Sequence, residues 1–207
     1  RGQRLQPSPV KTVAEEHDLP VLQPERAREA DFARQLAALA PDLGVVVAYG
    51  QILPDVVLTT PRLGVINVHA SLLPRYRGAA PIQRAIMAGE RETGVTMIRL
   101  VQEMDAGPML ATTRREILEH ETSEDVATAL SSSGADLLVD TVHALTEGRA
   151  REEEQDHALA TYAPRISRQD GRIDWQRPAG TIHNVVRGLV PWPHAFTFLD
   201  DRRYVIR

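Results

Sequence analysis

The run Gly44-Val45-Val46-Val47-Ala48-Tyr49-Gly50 does most to limit what this chain can fold into. A strand with one wet face alternates polar and apolar residues. An unbroken apolar run bounded by glycines reads instead as a strand buried on both faces, as in a mostly parallel sheet covered by helices. Val65-Ile66-Asn67-Val68-His69 reads as a second strand, breaking into a Pro/Arg/Gly loop at residues 70–78. Ahead of both runs Phe32, Leu36 and Leu39 recur at helical spacing over residues 30–40, and Pro41 stops the pattern. Alternation of this kind predicts an open, twisted, mostly parallel α/β sheet, with ligands beyond the carboxyl ends of its strands.

Elsewhere the punctuation is local. Ser8 and Pro9 suit the N-cap and first position of a helix reaching about His17, and residues 19–22 read as a short strand. Pro81 opens a helix through Met87 that Gly89 stops. Residues 93–101 alternate as a strand, and after the turn-rich residues 104–108 a further strand over 109–117 is expected to run antiparallel, because the connection is short. Thr122 and Asp125 resemble a capping box ahead of an apolar face made by Val126, Leu130, Leu137, Leu138, Val142 and Leu145, closed by Gly148. The charged residues 151–156 read as a solvated loop.

Composition excludes several function classes. The 207 residues are 43% hydrophobic and 25% charged, ordinary for a soluble globular protein. No apolar run approaches the roughly 20 residues of a membrane span, and no signal peptide is visible, so a cytoplasmic protein is expected. With no cysteine there is no disulfide framework, thiol nucleophile or thiolate metal site, and the seven histidines form no His-Glu-x-x-His pattern, so no metal is expected. A net charge of −4 argues against a broad nucleic-acid-coating surface but leaves room for a local basic patch. Arg1, Arg4 and Lys11 near the amino end are such a patch. The chain opens without Met in what reads as a loop and stops inside what reads as a strand, so both ends read as cuts.

The candidate chemistry lies at the end of the second strand. Residues two apart on a strand share a face, so Asn67 and His69 stand side by side. Acyl chemistry uses a group that moves a proton near neutral pH beside a fixed hydrogen-bond donor. The pair alone would equally serve a turn and the end of a sheet. Asp105 follows another strand end, so one crevice can receive all three residues.

Asn67-Val68-His69, Ser71-Leu72-Leu73-Pro74 and Asp105-Ala106-Gly107 resemble the folate-dependent formyltransferase superfamily. Further segments bring the resemblance closer to the methionyl-tRNA formyltransferase family: Pro7-Ser8-Pro9-Val10-Lys11, Val46 to Gly50, Arg77-Gly78-Ala79-Ala80-Pro81-Ile82-Gln83, Thr161-Tyr162-Ala163-Pro164 and Gly171-Arg172-Ile173-Asp174-Trp175. The resemblance implies transfer of a formyl group from 10-formyltetrahydrofolate to the amino group of initiator methionyl-tRNA, with Asn67, His69 and Asp105 catalytic. It also implies a folate pocket drawn from Val47, Ala48, Tyr49, Gly50, Gln51, Ile52, Leu53, Ser71, Leu72, Pro74, Glu103, Met104 and Gly107, and tRNA contacts from Arg1, Arg4, Lys11, Arg75 and Arg77. In domain terms it implies a Rossmann-like catalytic core over residues 1–165 whose opening strand-helix-strand is missing. A linker and helix over 166–190 and the start of an OB-like β-barrel that binds tRNA over 191–207 would follow, in a monomer. Two alternatives stand beside it: a related enzyme formylating an amino sugar nucleotide or glycinamide ribonucleotide, and a catalytically silent folate- or tRNA-binding module.

Overall fold

In a computed structural model that describes residues 7–207, Ser8 caps helix α1 (Pro9–Glu16) by accepting the Lys11 amide at 3.3 Å. The short strand expected over residues 19–22 does not form, because the Leu19 amide turns back to the Ala14 carbonyl at 2.8 Å and closes the helix. Helix α2 (Ala30–Ala38), strand β1 (Gly44–Val47), the short helix α3 (Asp55–Thr59) and strand β2 (Val65–His69) follow. Next come helix α4 (Pro81–Ala88), strands β3 (Glu92–Arg99) and β4 (Met109–Glu116), and the long helix α5 (Ser123–Thr146). Pro81 opens α4 and Gly89 ends it in the left-handed conformation, as the sequence predicts.

The sheet order is β1-β2-β3-β4. Its one parallel pairing joins β1 to β2, with Val46 opposite Asn67, while β2/β3 and β3/β4 run antiparallel, with Thr96 opposite both His69 and Thr112. The expected mostly parallel sheet is therefore a mixed one among the described residues. The connection through α4 does not cross the sheet, so β3 starts beside the point where β2 stops. β1 also departs from expectation: Val45 and Val47 are exposed and only alternate residues are covered. Apolar character along a strand says that covering is needed, not which neighbour supplies it.

The core lies between the sheet and two helices, where Ile86, Val95, Met97, Ile117, Val126 and Leu130 interlock. Its position is set by α5, whose capping box forms as read, with the Thr122 amide donating to the Asp125 carboxylate at 2.9 Å. β3 can lie flat against β4 because Gly94 has no side chain, since a Cβ there would stand 2.0 Å from the Thr113 carbonyl oxygen.

Helix α6 (Ala179–Gly188) packs on α4, with Gly188 so near Met87 that a Cβ would lie 2.9 Å from its Cγ. Leu189, Ala80 and Ile166 form a second buried cluster there. Strands β5 (Ala195–Leu199) and β6 (Arg202–Ile206) form a two-stranded antiparallel sheet. Ile173 donates to the Phe196 carbonyl at 2.9 Å and the Trp175 indole to the Thr197 hydroxyl at 2.9 Å, so this sheet is tied to the segment before α6. Where a barrel was expected to begin, a small sheet stands, and no closed barrel forms among the described residues. No helix among them is long and apolar enough to cross a membrane.

Leu130 is 2% exposed on the face of α5 that covers β3. Leu130→Ala is expected to destabilise the protein by about 3 kcal/mol through lost burial and a partly uncollapsed cavity, read from urea denaturation.

Candidate active site

Strand β2 delivers Asn67, half-buried, and His69, 5% exposed, to its carboxyl end. The loop that follows is shaped by two buried hydroxyls. Ser71 donates to the Arg75 carbonyl at 2.7 Å, and Thr96 donates to the Ser71 carbonyl at 2.7 Å while accepting from the Leu73 amide. Further on, Tyr76 takes a left-handed conformation (φ +61°), which costs a side-chain-bearing residue about 1–2 kcal/mol. Its amide donates to the Thr161 hydroxyl at 2.9 Å, and its carbonyl accepts from His69 Nε2 at 2.9 Å. A carbonyl can only accept, so the assignment puts a proton on Nε2. Nδ1 then faces Asp105 Oδ2 at 3.6 Å.

Asp105 is likewise left-handed (φ +50°), in the turn between β3 and β4. Its Oδ2 accepts the Gly78 amide at 2.8 Å, and no partner for Oδ1 is found among the described residues. Glycine is required at position 78, where φ is +119° and a Cβ would stand 2.8 Å from the Ala163 carbonyl oxygen. The same loop is pinned to residues 161–163 by Arg77 N–H to the Thr161 carbonyl at 2.8 Å and by Ala163 N–H to the Arg77 carbonyl at 2.7 Å. Of the sequence-predicted trio, His69 and Asp105 are thus brought within 3.6 Å of each other, and Asn67 lies on the same face of β2 as His69.

The expected folate-pocket residues divide into two groups. Ala48 and Gly50 have positive φ, and the loop they shape exposes Val47, Tyr49 and Ile52, the last at 92%. Met104 is exposed on the loop after β3, and Gln102 ties that loop to the start of α3 through its amide on the Asp55 carboxylate at 2.7 Å. Glu103 is exposed beside them and Leu53 is half-buried. Gln51 instead spends its amide within the protein, accepting from Ala27 N–H at 3.0 Å and donating to the Glu25 carbonyl.

Ser71 and Gly107 are buried, and a Cβ at Gly107 would stand 2.0 Å from the Arg99 carbonyl oxygen. Neither has surface to offer a ligand, so both are corrected to loop-holding parts. Leu72 packs over Gly94, and the Pro74 carbonyl accepts from Thr161.

Among the expected tRNA contacts, Arg77 is corrected outright. It is 1% exposed, bonded to Gln155 and His157, and cannot meet a phosphate without unfolding its surroundings. Arg75 is half exposed and chelates Glu90. Lys11 donates to Gln23 at 2.6 Å. Arg1 and Arg4 lie outside the described residues. Arg84, near the site, pairs with Asp170 at 2.8 Å.

One buried participant was not foreseen. Gln155 lies in the run expected to be solvated, yet it is 4% exposed and bonds both Arg77 and the backbone of the Asp105 turn. A single uncharged amide among acidic neighbours is the only mark it leaves in the sequence. A cavity of about 250 Å³ between α4 and α6, lined by Met87, Arg172, Ile182 and others, is separate and includes none of the trio.

A Rossmann-like α/β core whose strand ends gather an Asn, a His and an Asp, with a small β-sheet unit after it, defines a class of group-transfer proteins. The chain belongs to the formyl transferase family: the model of the formyl transferase domain matches residues 1–142, and that of the formyl transferase C-terminal domain matches residues 165–207. The methionyl-tRNA formyltransferases of Pelobacter propionicus and Pseudomonas putida are each 50% identical to it over 200 residues, 97% of this chain. The chain spans 63% and 64% of their lengths. Among solved structures, a sugar N-formyltransferase from a Shewanella species superposes with a TM-score of 0.78 at 20% identity, over 97% of this chain and 80% of that one. HypX from Aquifex aeolicus, in complex with tetrahydrofolic acid, superposes at 0.72 with 20% identity, over 84% and 30%.

Beneath the loop, burial disfavours the charged form of Glu90, but hydrogen bonds from Tyr76 and Arg75 outweigh it and hold the carboxyl below its ordinary value of 4.5. Burial, and then the bond to Glu90, pushes the Tyr76 hydroxyl up to about 12. The stabilisation from Glu90 is complete above its unfolded value and is lost as pH falls through the folded one. Glu90→Gln should therefore flatten the loss of stability below about pH 4.5, seen as a smaller shift in urea midpoint between about pH 6 and pH 3 than in the unaltered protein.

Proposed function

We propose that the protein transfers the formyl group of 10-formyltetrahydrofolate to the amino group of methionyl-initiator tRNA. The observation that carries this reading is the pairing of an oriented His69 imidazole with an anchored Asp105 carboxylate at 3.6 Å, with Asn67 on the same face of β2 and an exposed apolar loop after the neighbouring strand. Identity of 50% to methionyl-tRNA formyltransferases, against 20% to a sugar N-formyltransferase, favours the tRNA-linked amine over an amino sugar.

The chemistry follows from the partners already made. The attacking amine adds to the formyl carbon, and negative charge develops on the formyl oxygen. The Asn67 amide is the fixed donor for that oxygen. His69 has Nε2 committed to Tyr76, so Nδ1 is its reacting nitrogen. When protonated there, the ring can donate to the oxygen while Asp105 Oδ2 balances its charge. Oδ1, unlike Oδ2, is available to take the proton that the amine loses. As the carbon–nitrogen bond to the folate breaks, that proton is returned to the leaving nitrogen, so atoms and charges balance.

Val47, Tyr49, Ile52 and Met104 supply apolar surface suited to a pterin and its linker, with backbone from Ala48 and Gly50 between them. Exposure of 92% at Ile52 has no packing purpose among the described residues. Arg1, Arg4 and Lys11 are the proposed grip on the tRNA acceptor end, with Arg75 reaching it only by leaving Glu90. The division into a catalytic core over 1–165, a linker over 166–190 and a barrel opening at 191 belongs to the same reading, as do a cytoplasmic location and a monomeric state.

The intact protein, given labelled 10-formyltetrahydrofolate, is expected to label methionine-charged initiator tRNA and neither uncharged tRNA nor an amino sugar nucleotide. His69→Ala and Asp105→Asn should each lower kcat/KM by about 10²-fold or more. A near-unaltered rate in either variant would sink the mechanism, and label on the sugar would replace the substrate.

A further inference from the structure

Residues 152–155 form a strap across the start of β4. Met109 N–H donates to the Glu153 carbonyl at 2.8 Å, Glu153 N–H returns the bond at 2.9 Å, and Arg99 holds the Glu152 carboxylate at 2.7 Å. The strap sets the Gln155 side chain beneath the turn that carries Asp105. There Nε2 donates to the carbonyls of Asp105 at 2.8 Å and Gly107 at 2.7 Å, and Oε1 accepts from Arg77 Nε at 3.1 Å and Nη2 at 2.7 Å.

These bonds fill the hydrogen-bonding capacity of the amide, and they fix which end is which, since carbonyls need donors and a guanidinium needs an acceptor. Glutamate could satisfy only the arginine. Asp105 has reason to need such support, because its left-handed backbone is strained and its carboxylate is held from the other side by the single Gly78 amide. Gly78 adjoins Arg77 in the chain, so a closed circuit runs from Arg77 through Gly78, Asp105 and Gln155 back to Arg77.

We propose that Gln155 is a positioning residue for Asp105, with the buried Arg77 guanidinium holding Gln155 in its working orientation. The inference rests on the assignment of Asp105 to formyl transfer. Gln155 touches no substrate. It acts by keeping the Asp105 carboxylate on the Gly78 amide and facing His69, where a small displacement is costly to rate.

The test uses the full-length protein, Gln155→Glu and Gln155→Leu. Gln155→Glu keeps acceptors for Arg77 and removes both donors to the Asp105 turn, so it separates positioning from mere satisfaction of the arginine. It is expected to lower kcat about 10-fold or more while leaving KM for both substrates within about twofold. Hydrogen exchange at the Gly78 amide should speed about 10-fold, with the amides pairing β2 to β3 unaffected. Gln155→Leu should repeat both effects with a lower Tm. Either an unchanged kcat or unchanged Gly78 exchange in Gln155→Glu, folded as judged by its β-ladder protection, overturns the proposal. Should the unaltered protein transfer formyl to no acceptor, the functional reading fails while Gly78 exchange still decides the positioning.

Discussion

The turn at residues 76–78 holds both ionisable members of the candidate site through its backbone. The Tyr76 carbonyl fixes His69, and the Gly78 amide fixes Asp105. Neither group can be replaced by a side-chain substitution, and both depend on uncommon backbone conformations: a left-handed tyrosine, which is strained, and φ +119° at residue 78, which only glycine takes without strain. Neighbouring structure must over-determine such a turn. The hydroxyl and carbonyl of Thr161, the amide of Ala163, and the Ser71 and Thr96 hydroxyls supply that constraint.

Beneath the turn lies a buried arginine whose nearest carboxylate, on the exposed Glu103, is 3.7 Å away. A buried cation without a close counter-ion is tolerated only where its donors are met. Gln155 and His157 meet three of those contacts. The polar network therefore does two things at once: it accommodates Arg77 and it binds three remote stretches of chain, around residues 77, 105 and 155, into one unit. Outside it, Arg75, Tyr76 and Glu90 make a second, wetter cluster that braces the same turn.

Around this rigid centre the chain leaves apolar surface uncovered on one side. Val45 and Val47 on β1, and Tyr49 after it, are exposed where the sequence calls for burial, and Ile52 is exposed beyond them. The contrast is between a hydrogen-bonded turn that holds charge and an exposed apolar loop after the neighbouring strand.

Local chemistry made much of this protein legible in advance. The Ser8 cap, the Thr122/Asp125 capping box and the proline starts placed α1, α4 and α5 because a helix end is decided by a few adjacent residues. Period-two spacing put Asn67 and His69 on one face because strand geometry allows nothing else. The short connection between β3 and β4 foretold their antiparallel pairing, but the sequence could not say how β2 would pair with β3, since that depends on contacts between segments separated by a whole helix. The expected parallel sheet became a mixed one for that reason. Burial of Arg77 and Gln155 was equally invisible: an arginine beside a glycine reads as a phosphate ligand, and a glutamine among glutamates reads as solvent-facing. Their true surroundings exist only once residues 77, 105 and 155 have been brought together. The sequence by itself determined where α1, α4 and α5 begin and that Asn67 and His69 share a face; the tertiary structure decided the order and direction of the sheet and the side-chain hydrogen bonds of Asp105 and Arg77, because both join separate segments, the latter through partners 27 to 80 residues away.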